Sequence, residues 1–239
     1  MKKFLVLFTA LMCFISVPIA EAKKPTAEYV PAIGFKILES NNIQKRMVFK
    51  YMPAVKNPRA RIDYKPENTG LVYTDRTIWV YYDALTLVEN EDELAGLLSH
   101  AIALGENSYK GLFRGFFADM AYSFNPKPKE NKADLKAVDY MVKAGYNPLA
   151  LITIYSKTLG QTRYEWCHYY PLATKRMINV YEHITVNYPQ YFANNIYADN
   201  IYYKNFLHNT TKEMKKLEKK LNKDCLLYTS DAADDGESV

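Results

Sequence analysis

The sequence predicts a mainly helical α+β domain in which a small β-hairpin or sheet stands directly ahead of one buried central helix. Three observations predict it. Residues 70–82 gather β-branched and aromatic side chains (Leu71, Val72, Tyr73, then Thr77 to Tyr82) around a polar break at Thr74, Asp75 and Arg76, the pattern of two short strands and a tight turn. Residues 90–107, NEDELAGLLSHAIALGEN, place Leu94, Leu97, Leu98, Ala101 and Leu104 at helical spacing. From Leu112 onward the chain reads as helices separated by Gly, Pro and Asn.

Met1 to Ala22 reads as a secretory signal: Lys2 and Lys3, an apolar core from Phe4 to about Ile19, then the small-x-small triplet Ala20-Glu21-Ala22. The apolar run is short for a spanning anchor, and Met12 stands before Cys13 where lipidation wants a small residue. An exported protein is expected, periplasmic or extracellular after cleavage near Ala22. Lys23 to Tyr29 is a polar lead-in, and Ile33 to Asn42 a short helix. Val48 to Val55 is extended, with Pro53 confining it to an edge, and Arg61 to Tyr64 is a possible short strand. Asp83 to Val88 forms a first helix leading into the central one, which Asn90 caps, Glu93 braces in capping-box fashion and Gly105 ends.

Leu112 to Phe124 is an aromatic helix, and Asn125 to Lys129, with two prolines, a break. Glu130 to Ala144 is a helix closed by Gly145, Asn147-Pro148 a turn, and Leu149 to Leu159 the next helix. Gly160 to Tyr170 is a polar, aromatic loop. Pro171 opens a helix to about Val186. Tyr188 to Tyr203 is helical or irregular, and Asn205 to Asn222 is amphipathic, with Met214, Leu217 and Leu221 on one stripe. The tail beginning at Cys225, CLLYTSDAADD, resembles the in-frame translation of a sequencing adapter, so residues 225–239 are expected to be non-native and residues 23–224 to form a single domain.

The whole chain carries 31 basic and 26 acidic side chains, a net +5. Setting aside Lys2, Lys3 and Glu21 at one end and Asp231, Asp234, Asp235 and Glu237 at the other leaves 29 against 21, or +8. The excess sits mostly between Lys212 and Lys223: a solvated face, or a contact with an anionic membrane surface or acidic protein. No nucleic-acid-binding motif accompanies it. Only Cys167 lies within residues 23–224, so no internal disulfide is expected there. It reads as a small buried side chain, since no Cys–His–Asn pattern surrounds it.

Four fragments, in order, resemble the HtpX- and BepA-like zinc metallopeptidases of peptidase family M-48: ELAGLLSH, the family's lead-in to HExxH; Glu130 to Asp134, its ExxAD; Ala144 to Pro148, its AGYDP-like turn; and PLATKRM, its HP…R segment. The match runs from about Gly70 to Ile184. The resemblance implies a zincin-like domain, with zinc held by two histidines and a Glu and with a Glu as general base. Of these, His100 and Glu130 stand at ligand positions. Leu104 replaces the second histidine, Ala101 the base, and Tyr170 the His before Pro171. A two-ligand site should hold zinc weakly or not at all, and loss of the base alone removes roughly 10²–10⁴ in rate.

His168 is the one plausible substitute ligand, giving a rearranged set of His100, Glu130 and His168. His183 reads as structural and His208 as solvated, while Glu106, expected beyond the helix end, is too far along to replace the base. The resemblance also implies that Asp134 orients His100. With His100 neutral and unliganded, Asp134 would satisfy its ring N–H, and Arg176 could pair with a nearby carboxylate. The leading expectation is an exported pseudo-peptidase that binds unfolded or envelope proteins and peptides in envelope quality control. The alternatives are an active metalloendopeptidase with the rearranged site, or a structural envelope protein.

Overall fold

A computed structural model of the chain describes residues 24–52, 62–69, 72–107, 125–160 and 171–221. Three strands form one sheet: β1 (Val48–Met52), β2 (Ile62–Thr69) and β3 (Val72–Tyr81), in the order β1-β3-β2. β1 runs parallel to β3 with Val48 opposite Thr77, and β2 runs antiparallel to it with Ile62 opposite Val80. The hairpin is therefore β2–β3, connected through residues 70–71, and the expected turn at Thr74 to Arg76 is corrected. Asp75 and Arg76 pair with Glu67 and Pro66, and the register shift between Glu67 and Asn68 leaves Thr74 as the extra residue of a bulge. Pairing along the length of β2 overrides the turn-like composition of that segment. β1 ends at Met52, one residue before Pro53, on an outer edge of the sheet.

α1 (Tyr29–Ser40) begins four residues earlier than its sequence suggests, because Val30 joins Ile33 and Ile37 in the core. After β3 the chain turns directly into α2 (Tyr82–Leu87) and then α3 (Glu91–Asn107), the central helix. Leu94, Ala95, Leu98, Ile102 and Ala103 are fully buried, and α3 packs against α1, the sheet and the helices that follow. Each buried Leu or Ile contributes roughly 1.5–3 kcal/mol. Asn90 Oδ1 accepts the Glu93 N–H at 2.9 Å, while the Glu93 carboxylate accepts from the Glu89 N–H at 2.8 Å.

Gly105 does not end α3. The last turn is held by Glu106, whose carboxylate accepts from Lys136 at 3.1 Å and from the Tyr140 hydroxyl, and whose carbonyl accepts from Lys45 at 2.8 Å. Glu106 thus lies inside the helix rather than beyond it, still more than a turn from His100.

α4 (Lys127–Lys143) starts three residues before Glu130, because prolines 126 and 128 fall at the cap and in the first turn, where a missing N–H removes no bond. It closes on Gly145 at φ +78°, with the Tyr146 N–H donating to the Met141 carbonyl at 2.9 Å and the Gly145 N–H to Val142 at 3.0 Å. The next residue but one is tied to the head of α3: the Asn147 N–H donates to Asp92 Oδ1 at 3.1 Å. α5 (Ala150–Thr158) follows.

α6 (Ala173–Asn187) is capped at Leu172, so Pro171 lies one residue outside the helix it was expected to open. Residues 188–203 resolve into the single turn α7 (Gln190–Ala193) and the start of α8 (Ile201–Asn209), where Asn200 Oδ1 accepts from the N–H groups of Tyr202 and Tyr203. The expected continuous helix from Asn205 to Asn222 is broken at Thr210, whose hydroxyl donates back to the Phe206 carbonyl at 2.7 Å; helix resumes as α9, residues 211–221. The aromatic segment from Leu112 to Phe124 and the loop at 161–170 lie outside the described residues. Among the described residues no helix is long and apolar enough to cross a membrane.

Candidate functional site

Four helices bring polar side chains to one point against the middle of α3. Glu130 and Asp134 are one turn apart on α4 and so share a face, which is turned to His100 on α3. Tyr155 arrives from α5 and Arg176 from α6. The Arg176 guanidinium grips Asp134 with two parallel bonds, Nε to Oδ2 at 2.7 Å and Nη2 to Oδ1 at 2.6 Å. Its Nη2 also lies 3.3 Å from Glu130 Oε2 and 3.4 Å from His100 Nε2. The Tyr155 hydroxyl donates to Asp134 Oδ1 at 2.5 Å and accepts from Arg176 at 3.1 Å, and the guanidinium carbon sits 4.7 Å from the Tyr155 ring centroid.

Both nitrogens of His100 face carboxylates: Nε2 is 3.1 Å from Glu130 Oε2, and Nδ1 is 2.8 Å from Asp134 Oδ1. The second contact is close enough for an ion pair but off the direction of a hydrogen bond. Burial disfavours the charged imidazole, yet the Asp134 charge, with Glu130 behind it, outweighs burial and raises its pKa to about 9. That direction puts His100 on the imidazolium side at neutral pH, where the expectation was a neutral ring. Burial also works against the Asp134 carboxylate, but Arg176 and then His100 hold its pKa well below the usual range. Burial and the Asp134 charge push the Tyr155 phenol up, so it stays a neutral donor. The cluster thus pairs two carboxylates with two cations.

The separation of His100 Nε2 and Glu130 Oε2 is near the roughly 3.3 Å that two zinc ligands at about 2.0–2.1 Å would keep across a tetrahedron. The rest of the chemistry does not fit a metal. The Arg176 guanidinium stands within 3.4 Å of both of these donor atoms, so a cation already occupies their neighbourhood. Leu104 is half-buried against the core, and Ala101, 2% exposed, is part of it, so neither position offers a ligand or a proton acceptor. Among the described residues no group of three or more His, Cys, Asp or Glu side chains is arranged to hold a metal ion. Cys167, His168 and Tyr170 lie outside the described residues.

His183 is not at this site. It sits 2.7 Å from Asp139, which also accepts from the Tyr188 hydroxyl at 2.9 Å, and so ties α6 to α4. His208 is exposed on α8.

Tyr155 was not singled out by sequence, although a tyrosine in the buried run ALITIY signals a hydroxyl that needs a partner. The same helix holds a second cluster that sequence reasoning missed. Glu93, fully buried, accepts from Thr153 Oγ1 at 2.7 Å and from Lys157 at 2.7 and 2.9 Å.

Compared with family models, with curated proteins and with solved structures, the chain matches none. The resemblance to the zinc metallopeptidases rests on the sequence fragments alone.

Proposed function

We propose that this chain is an exported pseudo-peptidase, a zincin-like domain that has lost hydrolysis and retains an edge for holding extended polypeptide in envelope protein quality control. The observation that carries the reading is the position of Arg176 Nη2, 3.4 Å from His100 Nε2 and 3.3 Å from Glu130 Oε2. The two atoms that the family resemblance would assign to zinc are instead drawn into an internal ion-pair cluster. In the family the metal activates water as a nucleophile; here Ala101 stands at the position of the base, and among the described residues no side chain takes its place. The polypeptide-binding half is supported by the sheet: among the described residues β2 is an outer strand, it packs beside α3, and an extended peptide can add to such an edge through main-chain hydrogen bonds.

The test has two arms. Zinc content of the purified chain after dialysis is expected to be far below one per molecule, and casein cleavage absent with or without chelator. Near-stoichiometric zinc with chelator-sensitive cleavage overturns the reading in favour of a peptidase using His168. In the second arm, a fluorescent unfolded polypeptide is expected to bind with measurable anisotropy change. Failure there, with zinc absent, leaves a structural envelope protein.

A further inference from the structure

The outward face of α9 is dominated by lysines, with the exposed Glu213 and Glu218 at its two flanks. Lys212, Lys215, Lys216 and Lys219 fall at positions i, i+3, i+4 and i+7, so they share one side of the helix, and all four are exposed. None of them has an acidic partner among the described residues. The opposite side bears Met214, Leu217 and Leu221. Leu217 is buried, and all three line a groove of about 390 Å³ together with Tyr181 and Thr185 of α6 and Leu207 of α8. Lys220, at the edge of the basic face, is fixed to Glu182 of α6 at 2.6 Å. The helix therefore turns its apolar stripe toward α6 and α8 and is tied to α6 by one ion pair, with the four lysines exposed and Lys215 also bordering the groove.

We propose that this lysine face docks the protein onto an anionic phospholipid bilayer. Ammonium groups on flexible stems are point charges. They lack the planar forks of arginine and the aromatic platforms that read a shaped ligand such as a nucleic acid. A fluid headgroup surface asks for neither, because its anions move to wherever the cations stand. The apolar stripe is turned toward α6 and α8, away from the lysine face, so the contact is electrostatic and adds no insertion into the acyl region. The inference goes beyond the pseudo-peptidase reading and does not depend on it.

The experiment is co-sedimentation of the full chain with vesicles of phosphatidylcholine, with and without phosphatidylglycerol. Partitioning is expected to be stronger onto the anionic vesicles and to fall with salt. Each lysine near such a surface contributes roughly fivefold, so changing Lys212, Lys215, Lys216 and Lys219 together to Gln should weaken partitioning by about 10²–10³-fold. The matching change of all four to Arg should keep it, and an unchanged circular dichroism spectrum and melt would show that the Gln variant is folded. The N-terminal apolar segment is common to every variant and cancels. A Gln variant that partitions onto anionic vesicles as strongly as the parent overturns the proposal, as does binding to polyglutamate without binding to anionic vesicles.

Discussion

Glu93 and His100 are two turns apart on the same side of α3, and each is the centre of a buried ion-pair cluster. At Glu93 there is one carboxylate, fully buried and saturated: it accepts from the Thr153 hydroxyl, twice from Lys157 and once from the Glu89 N–H. Lys157 is itself 2% exposed and also meets Glu89 at 3.0 Å. This is a tie between α3 and α5, with each acceptor site used. At His100 there are two carboxylates and two cations drawn from three helices, and the imidazole is still 15% exposed. The second cluster joins two buried carboxylates to two basic side chains, whereas the first has one buried carboxylate and one cation with the half-exposed Glu89 at its rim. Buried charge by itself is architecture; charge beyond what a tie requires, left open on one side, is what marks the His100 cluster as the site.

The largest effect that would break this contrast is expected at Arg176. Arg176→Met strips both Asp134 and Glu130 of their guanidinium and should destabilise by roughly 3–5 kcal/mol in urea unfolding, since it leaves buried charge uncompensated. Lys157→Met should cost about 2 kcal/mol, because Glu93 keeps its hydroxyl and backbone donors. Equal losses would erase the distinction between the clusters.

A pH series sharpens it. The His100 pKa is raised from 6.5 to about 9 in the folded chain. Its contribution is therefore fully present below pH 6.5 and lost as the pH rises through 9, a fall on the order of 1–3 kcal/mol. His100→Asn should flatten that window, whereas Lys157→Met should leave its slope unchanged. The smallest test removes one hydroxyl from each cluster. Thr153→Val and Tyr155→Phe should each cost about 1–2 kcal/mol, and only Tyr155→Phe should shift the pH window, through Asp134.

What the sequence displayed best was the central helix. Five apolar residues at helical spacing and an Asn cap are local signals, and α3 follows them from Glu91. Its far end was hidden because Gly105 is a local signal too, overridden by contacts from Lys45, Lys136 and Tyr140 on distant elements. The hairpin was displaced for a similar reason. Thr74, Asp75 and Arg76 look like a turn alone, but β2 supplies their partners from a segment containing Pro66 and Asn68, poor strand formers by composition. At the site, the fragments around His100, Glu130 and Asp134 were visible, and Arg176 could be named as a partner for a carboxylate. The charge on His100 could not, since it depends on carboxylates at both ring nitrogens, a geometry set by two helices packing side by side.

The parallel pairing of β1 with β3 governs the route of the chain. A parallel neighbour cannot be reached by a tight turn, so after Met52 the backbone must travel back along the sheet before β3 can begin. β2 is that return journey, and it doubles as the far edge of the sheet. No separate crossover helix is needed, so the chain leaves β3 already at the threshold of α2 and α3. The helix carrying Glu93 and His100 thus hangs, through the six-residue α2, from the strand that is interior among the described residues, and the orientation of the site is inherited from that strand.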